Sequence, residues 1–384
     1  MFLALIPLLC IGIAIIGCLY TVCALLAVRA FRVRFAAADS GSAVGVTVLK
    51  PLHGAEAGLY ENLLSFVDQD HAGAMQIVFG VSDAGDAARP VVERLMRDFP
   101  DRDIELVVGV RHVDGNAKVG NLATMSAAIR HEVVILSDSD IRVTRHYVRE
   151  LCDALAQPGV GLVTCLYRGG AGRGFWSSLS TMAIDFHFFP AVLLGLQIGK
   201  ARPCMGATMA FTRRTLDAIG GFRAFAGHLA DDYAIGEAVR ASGQRVVVAP
   251  HLVEHRCNEG SGSELFLHEL RWARTIRSID PLGFAGSVVS YPLPFALAAV
   301  GSGTFETAAM VALLASVLCR GLLQREVEQA MGQATLRWLL GPLRDLLSFV
   351  VFCASFVTDV VVWRGRRYRV RADGTMEELK GLTS

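Results

Sequence analysis

The chain has 384 residues, 53% of them hydrophobic and only 19% charged, where an ordinary soluble domain carries about a quarter charged residues. A mean hydropathy of +0.43 excludes a purely soluble enzyme, and 37 Lys and Arg against 36 Asp and Glu leave a net charge of +1, with no basic excess to draw nucleic acid phosphates. Nine cysteines without a C-x-x-C pair exclude a zinc cage or disulfide scaffold and read as reduced, buried thiols.

Residues 1 to 28 carry no charge, and the apolar run from Phe2 to Val28 is stopped by Arg29, Arg32 and Arg34. It exceeds the roughly 20 residues that a helix needs to cross the hydrocarbon core. Residues 1–30 therefore read as a transmembrane signal anchor. It is expected to stay uncleaved, lacking a basic n-region and outrunning a typical h-region. Arginine flanks remain cytoplasmic, which puts the N-terminus outside and the following residues inside. Residues 37–280 then read as globular protein, enough for one α/β domain.

Val46-Thr47-Val48-Leu49 predicts a buried strand, ended by Lys50-Pro51 and Gly54. Leu59, Leu63, Leu64 and Val67 predict a helix, and residues 76–81 a strand ending at Ser82-Asp83. A helix over 87–99, a strand over 104–108, a helix over 118–130 and a strand over 133–136 ending in Ser137-Asp138-Ser139-Asp140 complete the run. Such alternation implies a Rossmann-like, mainly parallel sheet covered on both faces, with ligands bound where strands end. Asp83, Asp138 and Asp140 stand at those ends. An Asp-x-Asp there suits a hard divalent cation, Mg²⁺ or Mn²⁺, with a diphosphate, or is simply a solvated turn.

Further on, residues 174–200 are aromatic and apolar, either core or a surface that meets the bilayer. The glycine-rich stretches 169–174 and 259–262 read as mobile loops, and His112, His131, His146, His251 and His255 show no ligand spacing. Asp231-Asp232 precedes a helix over 234–241, where the pair caps the helix or supplies a general base. After a strand over 245–248, Arg271, Arg274 and Arg277 share a helical face and clamp phosphate or face anionic lipid.

Three apolar stretches follow over 283–302, 305–323 and 339–363, and then a basic tail over 364–384. A tail on the cytoplasmic side demands an even number of crossings after the domain. The Pro-interrupted 283–302 is therefore expected to lie in the interface or re-enter, leaving two spans within 281–363.

In this order, the motifs resemble inverting glycosyltransferases of family 2 and, more closely, family 21, which includes ceramide glucosyltransferases and bacterial hopanoid-biosynthesis glycosyltransferases. The resemblance is carried by residues 48–54, Val81-Ser82-Asp83, Lys118-Val119-Gly120-Asn121-Leu122, residues 137–143, Gly206-Ala207-Thr208-Met209, Ala230-Asp231-Asp232-Tyr233, Arg271-Trp272 and residues 364–371. It implies a GT-A domain at the cytoplasmic face of the inner membrane, moving a sugar from a UDP-sugar to a lipid hydroxyl. Under it, Asp83, Lys118, Asn121, Asp138 and Arg271 contact the nucleotide-sugar, Asp138 and Asp140 hold the Mg²⁺ or Mn²⁺, and Asp232 is the base. Trp272 lines the acceptor site. The pattern departs at His268, where the family has Gln or Arg, and Arg274 stands near to compensate. The forms of residues 138–143, 165–169 and 229–233 look more like the hopanoid enzymes, which implies UDP-N-acetylglucosamine and bacteriohopanetetrol, with ceramide and UDP-glucose as the alternative.

Overall fold

A computed structural model describes residues 2–32, 43–109, 115–172, 174–333, 337–363, 366–371 and 374–379. Arg34, His112, Arg364 and Gly365, all used in the sequence reading, lie outside the described residues. Helix α1 (Phe2–Arg32) leads to β1 (Val46–Leu52), α2 (Leu59–Val67), β2 (Met75–Val81), α3 (Arg89–Asp98), β3 (Asp103–Val108), α4 (Ala117–Met125) and β4 (Val133–Leu136). These strands run parallel in the order β3-β2-β1-β4, so their carboxyl ends share one edge. β1 and β4 are buried throughout, as a sheet covered on both faces requires. Pro51 is tolerated inside β1 because β4 pairs with it only as far as Leu49, leaving that flank open where the proline lacks its N–H.

The second half departs from simple alternation. It contains β5 (Ile141–Arg142), α5 (Tyr147–Leu155), β6 (Val160–Ala171), α6 (Phe175–Ala183), α7 (Phe189–Gln197), β7 (Met209–Thr212), α8 (Arg213–Ala218), α9 (Asp231–Ala241) and β8 (Arg245–Cys257). β7 is antiparallel to β4 and β6, β8 is parallel to β6, and β5 is antiparallel to β8. The result is a mixed, mainly parallel sheet in the order β3-β2-β1-β4-β7-β6-β8-β5. Gly169 and Gly170, expected in a loop, lie inside β6. The reason is close approach: a Cβ on Gly169 would come within 2.6 Å of Thr181, and one on Gly170 within 2.5 Å of Glu254.

The chain continues through α10 (Gly262–Ile279), α11 (Pro281–Gly286), α12 (Pro292–Gly301), α13 (Glu306–Ala330) and α14 (Gly341–Ser355) to a small antiparallel sheet of β9 (Val360–Trp363), β10 (Arg366–Val370) and β11 (Met376–Glu378). Among the described residues three helical segments are long and apolar enough to cross a membrane: Leu5–Phe31, Phe175–Gln197 and Glu306–Ala330. The middle one is 61% buried against 22% and 28% for the others, so it packs as core over the sheet, with a π-helical turn at Ile184–Phe188.

The other two form a bundle with α12, in which Ala14, Ala296 and Ala312 meet. Cys18 faces Ser316 at 3.6 Å and Arg29 pairs with Glu326 at 2.9 Å, so α1 and α13 run parallel. Gly17 lies so close to Pro292 that a Cβ would sit 2.9 Å from it, and with Ala14 on Ala296 this makes α12 antiparallel to both. The segments 281–290 and 292–301, expected to lie in the interface or re-enter, bend by 58°, a shape common to a re-entrant loop and a broken span, and α12 packs antiparallel to α13.

The stretch 339–363 differs from the expected span. α14 has 15 residues, about 22 Å of helix at 1.5 Å per residue, too short for a core of about 30 Å. It is also inside-out. Arg344, Asp345, Ser348 and Ser355 are buried while Leu343, Leu346 and Val350 are exposed. Arg344 pairs with Glu269 at 2.6 Å and Asp345 with Arg320 at 2.8 Å, which satisfies charges that burial would otherwise make costly.

Candidate active site

The carboxyl edge of the sheet gathers the chemistry. β4 ends at Ser137, and β5 pairs with the far end of β8 so that Ile141 lies opposite His255. That register brings His255 Nε2 to 3.2 Å from Asp140 Oδ2. Asn116 caps α4, accepting from the Lys118 and Val119 N–H groups. Its Nδ2 donates to the His228 carbonyl at 3.0 Å and to Asp231 Oδ1 at 3.2 Å. The starts of α4 and α9 are thereby tied, and Lys118 Nζ lies 2.7 Å from Asp138 Oδ1 and 3.6 Å from Asp231 Oδ2. Asp232 accepts from the Gly206 N–H and the Tyr233 N–H, each at 2.8 Å. A Cβ on Gly206 would lie 3.0 Å from Asp138 Oδ2, 3.2 Å from Lys118 Nζ and 3.3 Å from Asp232 Oδ2, so glycine keeps open the space on which three functional groups converge.

Opposite charges set the state of the cluster. Burial opposes ionisation of Asp140, but the charge and hydrogen bond of His255 outweigh it and hold its carboxyl low. His255, in turn, is raised well above its ordinary value by Asp140 despite burial. Burial works against the Lys118 charge too, yet Asp138, Asp231 and Asp232 together raise its pKa. Asp232 is pushed up to about 6 by burial and by the neighbouring Asp231. Beneath the Asp-x-Asp turn lies Lys50, fully buried, donating to the Asp138 carbonyl at 2.6 Å and sitting 3.6 Å over the Phe66 ring. Its pKa falls to about 7, chiefly through burial.

The expected site residues do not all meet. Asp138, Asp140, Lys118 and Asp232 are brought together. Asp83 is exposed at the end of β2, accepting from the Gly85 N–H at 2.6 Å. It shares the edge but stands two strands, about 10 Å at 4.8 Å per strand, from the end of β4. Asn121 is buried and donates to the Gly80 carbonyl at 2.8 Å, so it fastens α4 to β2 rather than entering the cluster. From α10, Arg271 turns toward Asp140 and Asp138, whose charges work against the lowering of its pKa by burial. It has no ion pair among the described residues. His268 pairs with Glu259 at 2.7 Å and meets the Trp272 ring edge to face at 4.5 Å. Arg274 and Arg277 instead turn to the segment that follows α14: Arg274 donates to the Val360 carbonyl at 2.6 Å and Arg277 pairs with Asp359 at 2.5 Å.

Lys50, Asn116 and His255 join the cluster without having been singled out for it, and Asp231 joins it as the partner of Lys118 and Asn116. Lys50 lies within the motif at 48–54, but only strand register puts His255 beside Asp140. Among the described residues no group of three or more His, Cys, Asp or Glu side chains is arranged to hold a metal. Two carboxylates are nevertheless present, and Asp140 Oδ1 is buried without a hydrogen-bond partner. This donor set fits a hard cation completed by phosphate oxygens from a ligand. A cavity of about 810 Å³ between α1, α7 and β8 is lined by none of these groups.

Over 273 residues the chain is 26% identical to ceramide glucosyltransferase 3 of Caenorhabditis elegans, covering 69% of this chain and 58% of that protein. It is 24% identical over 208 residues to ceramide glucosyltransferase 1 of the same organism, covering 54% and 44%. The chain thus spans about half the length of these curated relatives. Among solved structures, a mannosyltransferase from Pyrobaculum calidifontis in complex with GDP-Man and Mn²⁺ superposes with a TM-score of 0.50 at 18% identity, covering 91% of this chain and 99% of that one. This likeness is one of fold, the GT-A type of α/β domain. The model of glycosyl transferase family 21 matches residues 9–376, nearly the whole chain, and the chain belongs to that family.

Proposed function

We propose that the chain is a membrane-bound inverting glycosyltransferase that moves N-acetylglucosamine from its UDP donor to a hydroxyl of a hopanoid polyol, bacteriohopanetetrol. The observation that carries the reaction class is the convergence of Asp138, Lys118 and Asp232 around Gly206. The acceptor oxygen bonds to the anomeric carbon from the face opposite the donor, the bond to the β-phosphate oxygen of UDP breaks, and the hydroxyl proton passes to Asp232. A carboxylate with a pKa of about 6 is mostly ionised at neutral pH and still basic enough to share the proton in the transition state. Two backbone N–H groups fix its direction. Lys118 and Arg271 supply charge to the donor diphosphate, Asp83 meets the uridine, and Trp272 walls the acceptor site with His268, held by Glu259, behind its indole. Asp138 and Asp140 are the residues that would hold a Mg²⁺ or Mn²⁺, whose chemistry is to neutralise charge on the departing diphosphate.

The hopanoid assignment is supported by the forms of residues 138–143, 165–169 and 229–233. A second reading, transfer from UDP-glucose to ceramide, is favoured by the nematode relatives. We place the domain at the cytoplasmic face of the inner membrane: α1 enters from outside, α11 and α12 go out, and α13 returns. α14 then lies in the cytoplasmic interface with its apolar stripe toward lipid. Incubating the detergent-purified protein with UDP-sugars and with hopanoid polyols or ceramides, followed by mass spectrometry of the lipids, tests the reading. The expected product is a polyol carrying one N-acetylhexosamine, absent with Asp232→Asn. A hexosylceramide alone would establish the second reading, and no product from any pair would overturn both.

A further inference from the structure

Arg274 and Arg277 lie on the same helix as Arg271 but outside the cluster just described. With Ser278, Asp359 and Arg371 they line a separate cavity of about 200 Å³ where α10 meets α11 and the end of β10. Three guanidinium groups stand there against one carboxylate. Arg277 pairs with Asp359 and donates to the Thr358 carbonyl at 3.3 Å, and Arg371 pairs with Glu377 at 2.9 Å. The Nε atoms of both Arg274 and Arg277 are buried without a hydrogen-bond partner. A buried donor left unpaired costs roughly 1–3 kcal/mol, and here two belong to residues that line one small space. Burial, with the adjacent Arg277 charge adding to it, lowers the pKa of Arg274, as befits a pocket short of negative charge.

The surroundings identify the occupant. Exposed apolar side chains border the arginines: Ile276 on α10, Leu282 at 86% exposure on α11, and Phe356 and Val357, the latter at 82%, after α14. Val357 continues the spacing of the outward residues Leu343, Leu346 and Val350 of α14, and the Arg277 guanidinium lies 5.5 Å from the centre of the Phe356 ring. A free anion has no use for such a rim, whereas a phospholipid has both a charged phosphodiester and acyl chains. From this juxtaposition we propose that the cavity is a binding site for the phosphodiester headgroup of an anionic phospholipid, whose acyl chains lie along Leu282 and Val357. The bound phosphate links α10, which carries Arg271 and Trp272, to the strand entering the C-terminal sheet. This assignment rests on the membrane reading given above, but its test is independent of catalysis.

The purified full-length protein in detergent is titrated with dioctanoyl phosphatidylglycerol, with dioctanoyl phosphatidylcholine and with inorganic phosphate, and the melting temperature is followed, since a ligand that binds only the folded state raises it. Phosphatidylglycerol is expected to raise it saturably, with an apparent Kd at least tenfold tighter than that of phosphatidylcholine, and inorganic phosphate to have little effect. Arg277→Gln and Ser278→Glu are each expected to weaken phosphatidylglycerol binding at least tenfold. Ser278→Glu retains all three arginines and adds a second carboxylate to the lining, which repels a phosphodiester, so it tests the site even if Arg277→Gln unfolds. Equal response to both lipids, an equal response to inorganic phosphate, or unchanged binding in a folded Ser278→Glu variant would each overturn the proposal. Failure of the glycosyl-transfer assay with lipid binding intact would count only against the reaction.

Discussion

Asp232 is the residue on which the proposed chemistry turns, and two measurements address it. Asp232→Asn keeps the shape of the side chain but removes the base, and its amide oxygen can accept from only one of the two backbone N–H groups; turnover is expected to fall by roughly 100-fold to 10,000-fold in a protein that still folds. The pH dependence has a defined sign. Burial and Asp231 raise the carboxyl to about 6, and only the ionised form accepts a proton. The rate constant for transfer should therefore be level above pH 7 and drop about tenfold per unit below pH 6. A flat profile down to pH 5 would remove Asp232 from the role. Gly206→Ala tests the crowding beside it. Its Cβ would lie 3.0 Å from Asp138 Oδ2 and 3.3 Å from Asp232 Oδ2, forcing shifts of a few tenths of an ångström at reacting groups. Misplacement on the scale of 1 Å costs about 100-fold, so a loss of about tenfold in kcat is expected in a protein that still folds.

At the level of elements, α14 shows why total hydropathy misleads. Its apolar residues predict a span because counting them does not reveal that its two charges and two serines face the protein. Arg344→Met leaves Glu269 buried without its cation, a change expected to cost about 3–5 kcal/mol and to lower the melting temperature in detergent. Adding Glu269→Gln removes the orphaned charge and is expected to recover most of the loss. If the double variant is no more stable than the single one, the pair is not what holds α14 to α10. The parallel half of the sheet was legible from sequence, since β1, β2 and β3 are short runs each followed by a helix with its own period and β4 is an apolar run closed by an acidic turn. The other half was not, because β5 and β7 have two and four residues and β6 carries glycines that read as loop. The acidic positions of the site could be read from strand ends. His255 could not, being placed by a register between strands more than a hundred residues apart in sequence.

For the whole molecule, α1 and α13 run parallel with α12 reversed between them, so the proposed cytoplasmic placement of the domain puts the turn between α12 and α13 outside. In spheroplasts and a background without native cysteines, Thr304→Cys at the tip between α12 and α13 is expected to react with an impermeant maleimide. Glu378→Cys in the tail should react only after permeabilisation, and the reverse pattern would invert the topology. The tail also bears on modularity. The Met376 N–H donates to the Gly227 carbonyl at 2.8 Å and the Leu229 N–H to the Gly374 carbonyl at 3.3 Å, so the last strand is stitched to the segment that leads directly into Asp231 and Asp232. A soluble fragment cut after the apparent end of the domain at residue 280 would lack that seam. It would retain Asp138, Asp140 and Asp232 yet leave the segment that leads into α9 without its partner strand, so the middle of this chain and its tail form one working part that cannot be trimmed apart.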